Sequence, residues 1–183
     1  PRVFFYVQYL LGIGHLTRAA ALTRALEANG FAVTLASGGM SLPDFRSGAT
    51  TFVQLPPVQA ADATFDTLVD AARKPVDDAW RAARRDATLA ALDTCDPQIL
   101  LTEQYPFGRR MMRFELEPLV TAARARSPRP GIACSVRDVL NRPSKYARYR
   151  WMAETARRDY DLVLVHGDPH FVPFDATFPE VAQ

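Results

Sequence analysis

Lysine is nearly missing from this sequence: of its 22 basic residues only Lys74 and Lys145 are lysine, and arginine supplies the rest. The 20 acidic residues bring the net charge to +2, and no run of like charge is long enough to coat a nucleic acid. That balance excludes nucleic acid as a partner and favours a small or membrane-borne ligand. Cysteine is equally scarce. Cys95 and Cys134 lie far apart, the second inside an apolar run where a free thiol behaves as a small hydrophobe, so both are read as structural. No apolar stretch reaches the roughly 18 residues of a membrane span, and the apolar residues 3–7 are too few for a signal segment. A cytoplasmic protein is expected, with peripheral membrane contact as the alternative. Internal repeats, low-complexity segments and a convincing linker are also absent. The chain opens at Pro1 without an initiator methionine and closes at Gln183 after a proline-rich stretch, so both ends are expected to be cuts.

What is present is an alternation. With 183 residues, 48% of them hydrophobic and 23% charged, the chain suffices for one well-buried core, and residues 1–183 are read as a single domain. Short apolar runs at 3–7, 32–36, 51–55, 98–102, 131–136 and 162–165 predict buried strands. Between them lie helical patterns. Leu16, Ala19, Leu22 and Leu26 share one face and stop at Asn29-Gly30. Further helices are expected over 76–92, over 118–126 with Pro118 in the first turn, and over 146–158. Residues 55–74, with Pro56-Pro57, read as a long loop with a partial helix. Strands alternating with helices imply an α/β fold, a Rossmann-like parallel sheet with helices on both faces. In such sheets ligands bind beyond the carboxyl ends of the strands.

The first strand is followed by Gly12-Ile-Gly-His-Leu-Thr-Arg18. Gly12 and Gly14 allow unusual φ and let a ligand approach the backbone, and the helix start beyond them offers free N–H groups to an anion. A dinucleotide site is disfavoured, because the third glycine of G-x-G-x-x-G would fall at Thr17 and the second strand ends in Ser37-Gly38-Gly39 without a ribose-binding acid. A P-loop is disfavoured too, since no Lys-Ser or Lys-Thr pair follows the glycines. His15 at the mouth of the helix is a candidate base near neutral pH; its plain alternative is a capping or surface histidine. Arg18 conflicts mildly with the helix dipole unless an acidic neighbour or a bound anion offsets it.

The run Gln8-Tyr-Leu-Leu-Gly-Ile-Gly-His-Leu-Thr-Arg18 and the helix ending Ala25-Leu-Glu-Ala-Asn-Gly30 resemble the N-terminal domain of GT-B glycosyltransferases of the MurG-like group, related to glycosyltransferase family 28. Thr102-Glu-Gln-Tyr-Pro-Phe-Gly-Arg-Arg110, Phe114-Glu-Leu-Glu-Pro-Leu119, Cys134-Ser-Val-Arg-Asp138 and Val165-His-Gly-Asp-Pro169 look like later signatures of that group. The resemblance implies the acceptor-side half of an enzyme that moves a sugar from a nucleotide-sugar donor to an acceptor hydroxyl. It implies the nucleotide-sugar as co-substrate, without a metal or other cofactor. The partners it implies are the donor, an unidentified acceptor, and a C-terminal donor-binding domain or a separate donor-binding chain, without which the fragment is inactive. Two rivals stand beside it: a nucleotide-sugar hydrolase, and a non-catalytic acceptor-binding subunit of a split glycosyltransferase.

On the ligand-facing edge, Glu103 follows the fourth predicted strand, Arg137 and Asp138 the fifth, and His166 and Asp168 the sixth. Glu103 is grouped with His15 as catalytic: it could orient the imidazole, support its charge or bind an acceptor hydroxyl, or else simply pair with Arg109 or Arg110. Gly12, Gly14, Arg18, Arg109, Arg110, Arg137, Asp138, His166 and Asp168 are candidate substrate-binding positions. Arg109 and Arg110 follow a Pro-Phe-Gly turn and suit bidentate contact with phosphate or carboxylate, with a structural ion pair to Glu115 or Glu117 as the alternative for one of them. Arg137 and Asp138 could form a self-contained pair. His166, Asp168 and His170 invite a metal reading that the resemblance opposes. Tyr146, Tyr149 and Trp151 have helical spacing that favours core packing over an acceptor role.

Overall fold

The computed structural model describes residues 1–137, 139–140, 146–168, 170 and 172–179. Its main sheet is built from β1 (Arg2–Val7), β2 (Ala32–Ser37), β3 (Thr51–Gln54), β6 (Ile99–Glu103), β7 (Gly131–Arg137) and β8 (Leu162–His166). These pair in the order β3-β2-β1-β6-β7-β8, every pairing parallel. The helices are α1 (Gly14–Ala28), α2 (Asp78–Cys95), α3 (Arg113–Arg124), α4 (Tyr146–Asp159) and the short α5 (Phe174–Thr177). The expected Rossmann-like α/β architecture is therefore present.

The central strands show why the runs were readable. β1 alternates its side chains between two cores: Phe4 and Tyr6 pack with Leu92, Leu100 and Leu116, whereas Val3, Phe5 and Val7 pack with Leu16, Ala19 and Leu35. A strand buried on both faces has no polar side, hence its continuous apolar sequence. α1 ends as expected, with Gly30 at φ +82°, a left-handed value that a side chain would strain. Cys134 is fully buried and burial pushes its thiol well above the ordinary range, which leaves it inert; Cys95 is partly buried, and both are free.

Four expectations need correction. The runs at 51–55 and 162–165 do form strands, β3 and β8, but these are the two sheet edges and are largely exposed rather than buried. The stretch 55–74 contains no helix; β4 (Val58–Ala60) and β5 (Leu68–Asp70) pair antiparallel as a small second sheet. Pro118 is inside α3 rather than in its first turn, because the helix begins at Arg113, directly after a 3-10 turn over Arg110–Met112. Finally, α2 runs from Asp78, where the Asp77 side chain accepts the Trp80 backbone N–H at 2.7 Å.

No helix among the described residues is long and apolar enough to cross a membrane.

Candidate functional site

The sheet order places β1 beside β6 although four strands intervene in sequence, with Tyr6 opposite Thr102. Chain direction across the sheet reverses there, and the loops after the two strands diverge and leave a crevice. His15 stands in the first turn of α1, just past the first of these loops, and Glu103 ends β6. The imidazole Nδ1–H donates to Glu103 Oε1 at 2.7 Å. With Nδ1 carrying the proton, Nε2 is the ring's basic nitrogen, so the carboxylate sets the tautomer a general base needs.

Glu103 is fully buried and collects more than one cation. Arg18 Nη1 stands 3.7 Å from Oε1, and Arg109 Nη2 stands 3.7 Å from Oε2. The alternatives left open for Glu103 thus coexist: it holds His15 and it neutralises arginine. Arg18 has the acidic neighbour that its place on α1 called for. At these distances neither arginine is hydrogen-bonded to the carboxylate, and Arg18 Nη1, Arg109 Nε and Arg109 Nη2 are buried without a hydrogen-bond partner among the described residues. Burial also pulls the Arg109 guanidinium below its ordinary pKa, with Glu103 opposing. Buried donors left in this condition are what an incoming oxyanion would satisfy.

Ile13, Gly14 and His15 open α1 with no side-chain cap, and Thr17 is the first residue whose N–H bonds back, to Ile13 O at 3.0 Å. The N–H groups ahead of it are free to meet an anion. Gly12 and Gly14 are exposed, and an added Cβ at either would meet nothing within 4 Å. Neither adopts a positive φ. The expected need for unusual backbone angles is therefore absent, and only the open approach to the backbone remains as a reason for glycine.

A cleft of about 440 Å³ runs from His15 past Arg109, Arg110 and Arg137. Gly12, Gly14, Arg18, His166 and Asp168 do not line it. His166 shares a hydrogen bond of 2.9 Å with Ser135 Oγ, and burial together with the nearby Arg18 charge holds its pKa below the ordinary value. Asp168 accepts the His170 backbone N–H at 2.9 Å and stabilises its own turn. Arg137 Nε donates to Val139 O at 2.6 Å; its suggested partner Asp138 lies outside the described residues. The proposed ion pair of Arg109 or Arg110 with Glu115 or Glu117 is not formed, because those acids are taken: Glu115 by Arg84 and Glu117 by Arg113. Tyr149 is buried in the core and Trp151 stacks edge-on against Tyr105 beneath Arg113, as packing predicts; the Tyr146 side chain lies outside the described residues.

Three positions went unnoticed in the sequence. Arg84 is fully buried, its Nε 2.8 Å from Glu115 Oε2, and it donates to Gln8 Oε1 at 3.0 Å and to the Gly38 carbonyl at 3.2 Å. Tyr6 and Thr88 also donate to Glu115. This network ties down the segments that follow β1 and β2, directly behind the crevice. It also explains Gly38, where a Cβ would stand 2.0 Å from Arg84 Nη2 and 2.1 Å from Gln8 Oε1. Phe65 and Arg148 line the cleft together with the arginine turn. Arg84 lies beside Arg85 and three residues after Arg81, so no sequence signal singles it out, and none marks Phe65 or Arg148.

No protein-family model and no curated protein sequence matches the chain. Solved structures do. The chain is similar to MurG of Acinetobacter baumannii, at 12% identity and a TM-score of 0.50 over 90% of this chain and 41% of that one. It is similar to the glycosyltransferase SsfS6 of Streptomyces sp. SF2575, solved with thymidine diphosphate, at 16% identity and a TM-score of 0.50 over 88% and 48%. CalG4, the calicheamicin glycosyltransferase, matches at 15% identity and a TM-score of 0.50 over 97% and 50%. The fold is thus one that GT-B glycosyltransferases contain, and the chain spans half or less of the length of each of these three.

Proposed function

We propose that this chain is the N-terminal, acceptor-side half of a glycosyltransferase, with His15 as the base and Glu103 as its orienting carboxylate. The observation that carries the reading is the 2.7 Å His15–Glu103 hydrogen bond at the point where the sheet reverses direction. In the proposed step Nε2 of His15 takes the acceptor's hydroxyl proton and the oxygen attacks the anomeric carbon. The bond from that carbon to the nucleotide diphosphate breaks, and its electron pair leaves with the phosphate. The uncapped start of α1, with Arg18 and Arg109, holds an anionic part of a substrate. Donor binding is assigned to a second α/β body, a reading supported by the length of the three similar glycosyltransferases.

The test is sugar transfer by a protein carrying this chain joined to its donor-binding half. His15→Ala is expected to lower turnover about 10²- to 10⁴-fold, the usual worth of a positioned base. Unchanged turnover removes the assignment. Free sugar as the only product replaces transfer by hydrolysis, and robust transfer by residues 1–183 alone contradicts the division of labour.

A further inference from the structure

We infer that the cleft beside His15 selects an acceptor that is an amphipathic acid: an apolar body bearing one phosphate or carboxylate group. The inference rests on the acceptor-side reading and names the substrate class that reading leaves open. Electrostatics comes first. Arg109 already faces Glu103, but Arg110, Arg137 and Arg148 line the same cleft against one carboxylate among the described residues, Asp66. Arg148 is half-buried, and neither it nor Arg110 makes an ion pair or side-chain hydrogen bond with any described residue. Arg110 is exposed at the cleft and so is free to turn toward a ligand, whereas the half-buried Arg148 has lost part of its hydration without gaining an acid; the planar forks of both match carboxylate and phosphate oxygens.

Between these charges and the polar Thr64 and Gln104, part of the wall is apolar. Leu10, Met111 and Met152 line it, and methionine adapts to irregular apolar shapes. A purely ionic ligand has no use for that surface. At the rim, Phe65 is 42% exposed and sits at φ +57°, a left-handed conformation that is strained for an aromatic residue. Strained and exposed aromatic positions concentrate at ligand clamps. The ring lines the cleft rather than joining the core. A volume of about 440 Å³ accommodates a small molecule with both parts.

Titration calorimetry of the chain with four probes below their micelle concentrations tests this: octyl phosphate, octanoate, inorganic phosphate and octyl glucoside. At least one of the two octyl acids is expected to bind about tenfold or more tightly than both inorganic phosphate and octyl glucoside, and the tighter acid identifies the headgroup. Arg110→Gln and Arg148→Gln are each expected to weaken that acid about tenfold while circular dichroism stays unchanged. Phe65→Ala is expected to weaken the octyl acids and leave inorganic phosphate alone. Equal binding of octyl glucoside, or folded arginine variants that bind the acid as before, overturns the inference. His15→Ala separates this idea from the catalytic one: it is expected to lower transfer about 10²- to 10⁴-fold while the preference for the octyl acid over octyl glucoside persists. Loss of acid selectivity with His15-dependent transfer intact sinks the acceptor class alone.

Discussion

His15 Nδ1 and Glu103 Oε1 meet at 2.7 Å although 88 positions separate the two residues in sequence. The carboxylate is fully buried and also faces Arg18 and Arg109, so one acid compensates three basic groups. Glu103→Ala is therefore expected to destabilise the fold by about 3 to 5 kcal/mol, mainly by stranding Arg109. Glu103→Gln, which keeps an acceptor oxygen, is expected to cost less. Urea unfolding midpoints compare the two; equal and negligible effects would show that the carboxylate does not carry this load.

Arg84 and Glu115 predict a different signature. Arg84→Met alone leaves Glu115 buried without its cation and is expected to cost about 3 to 5 kcal/mol. Burial already pushes the Glu115 carboxyl up against the opposing Arg84 charge. Joining Glu115→Leu to Arg84→Met removes the stranded charge, so the double variant is expected to be more stable than Arg84→Met alone. A double variant showing the sum of both single losses would refute that coupling.

The glycines separate packing from ligand approach. Gly38→Ala forces a methyl group against Arg84 and Gln8 and is expected to lose about 1 to 3 kcal/mol in chemical denaturation. Gly14→Ala meets nothing and sits at the first turn of α1, so it is expected to raise stability by about 0.4 to 1 kcal/mol. In a transfer-competent protein the same Gly14→Ala change is expected to weaken substrate binding. A rise in stability with unaltered KM would remove the close-approach role.

His166 gives a pH dependence. Its folded pKa lies below the ordinary value of about 6.5, first through burial and then through Arg18. The unfolded chain then binds the proton more readily, so stability is expected to fall as pH drops through the ordinary value, and to level off below the folded one. His166→Asn is expected to flatten that slope in thermal melts between pH 7 and 5. Parallel slopes for parent and variant would exclude His166 as the origin.

These sites differ in how much of them the sequence exposed. The six strands of the main sheet were legible because each is a short, largely apolar run, but neither 51–55 nor 162–165 carries a mark that it will lie at an edge. Lateral order is decided by the crossovers, not by a strand's own residues. The three-residue strands β4 and β5 are too short to show a period. Glu103 was legible as a strand-end residue and His15 as a residue at the mouth of α1, and their contact was one of several open roles. Arg84 was not, since a buried arginine is exceptional and its partner Glu115 is 31 positions away.

The neighbouring placement of β1 and β6 has a mechanical outcome. Thr102, laddered to Tyr6, directly precedes the carboxylate, and the imidazole on α1 is tied to that carboxylate by its hydrogen bond, so the histidine is anchored to the sheet through Glu103. The donor-binding body proposed above, swinging over this edge, would change what is delivered to the histidine and when. It would leave the hydrogen bond that orients the histidine untouched, so gating and the proposed proton transfer would be governed by separate parts of the molecule.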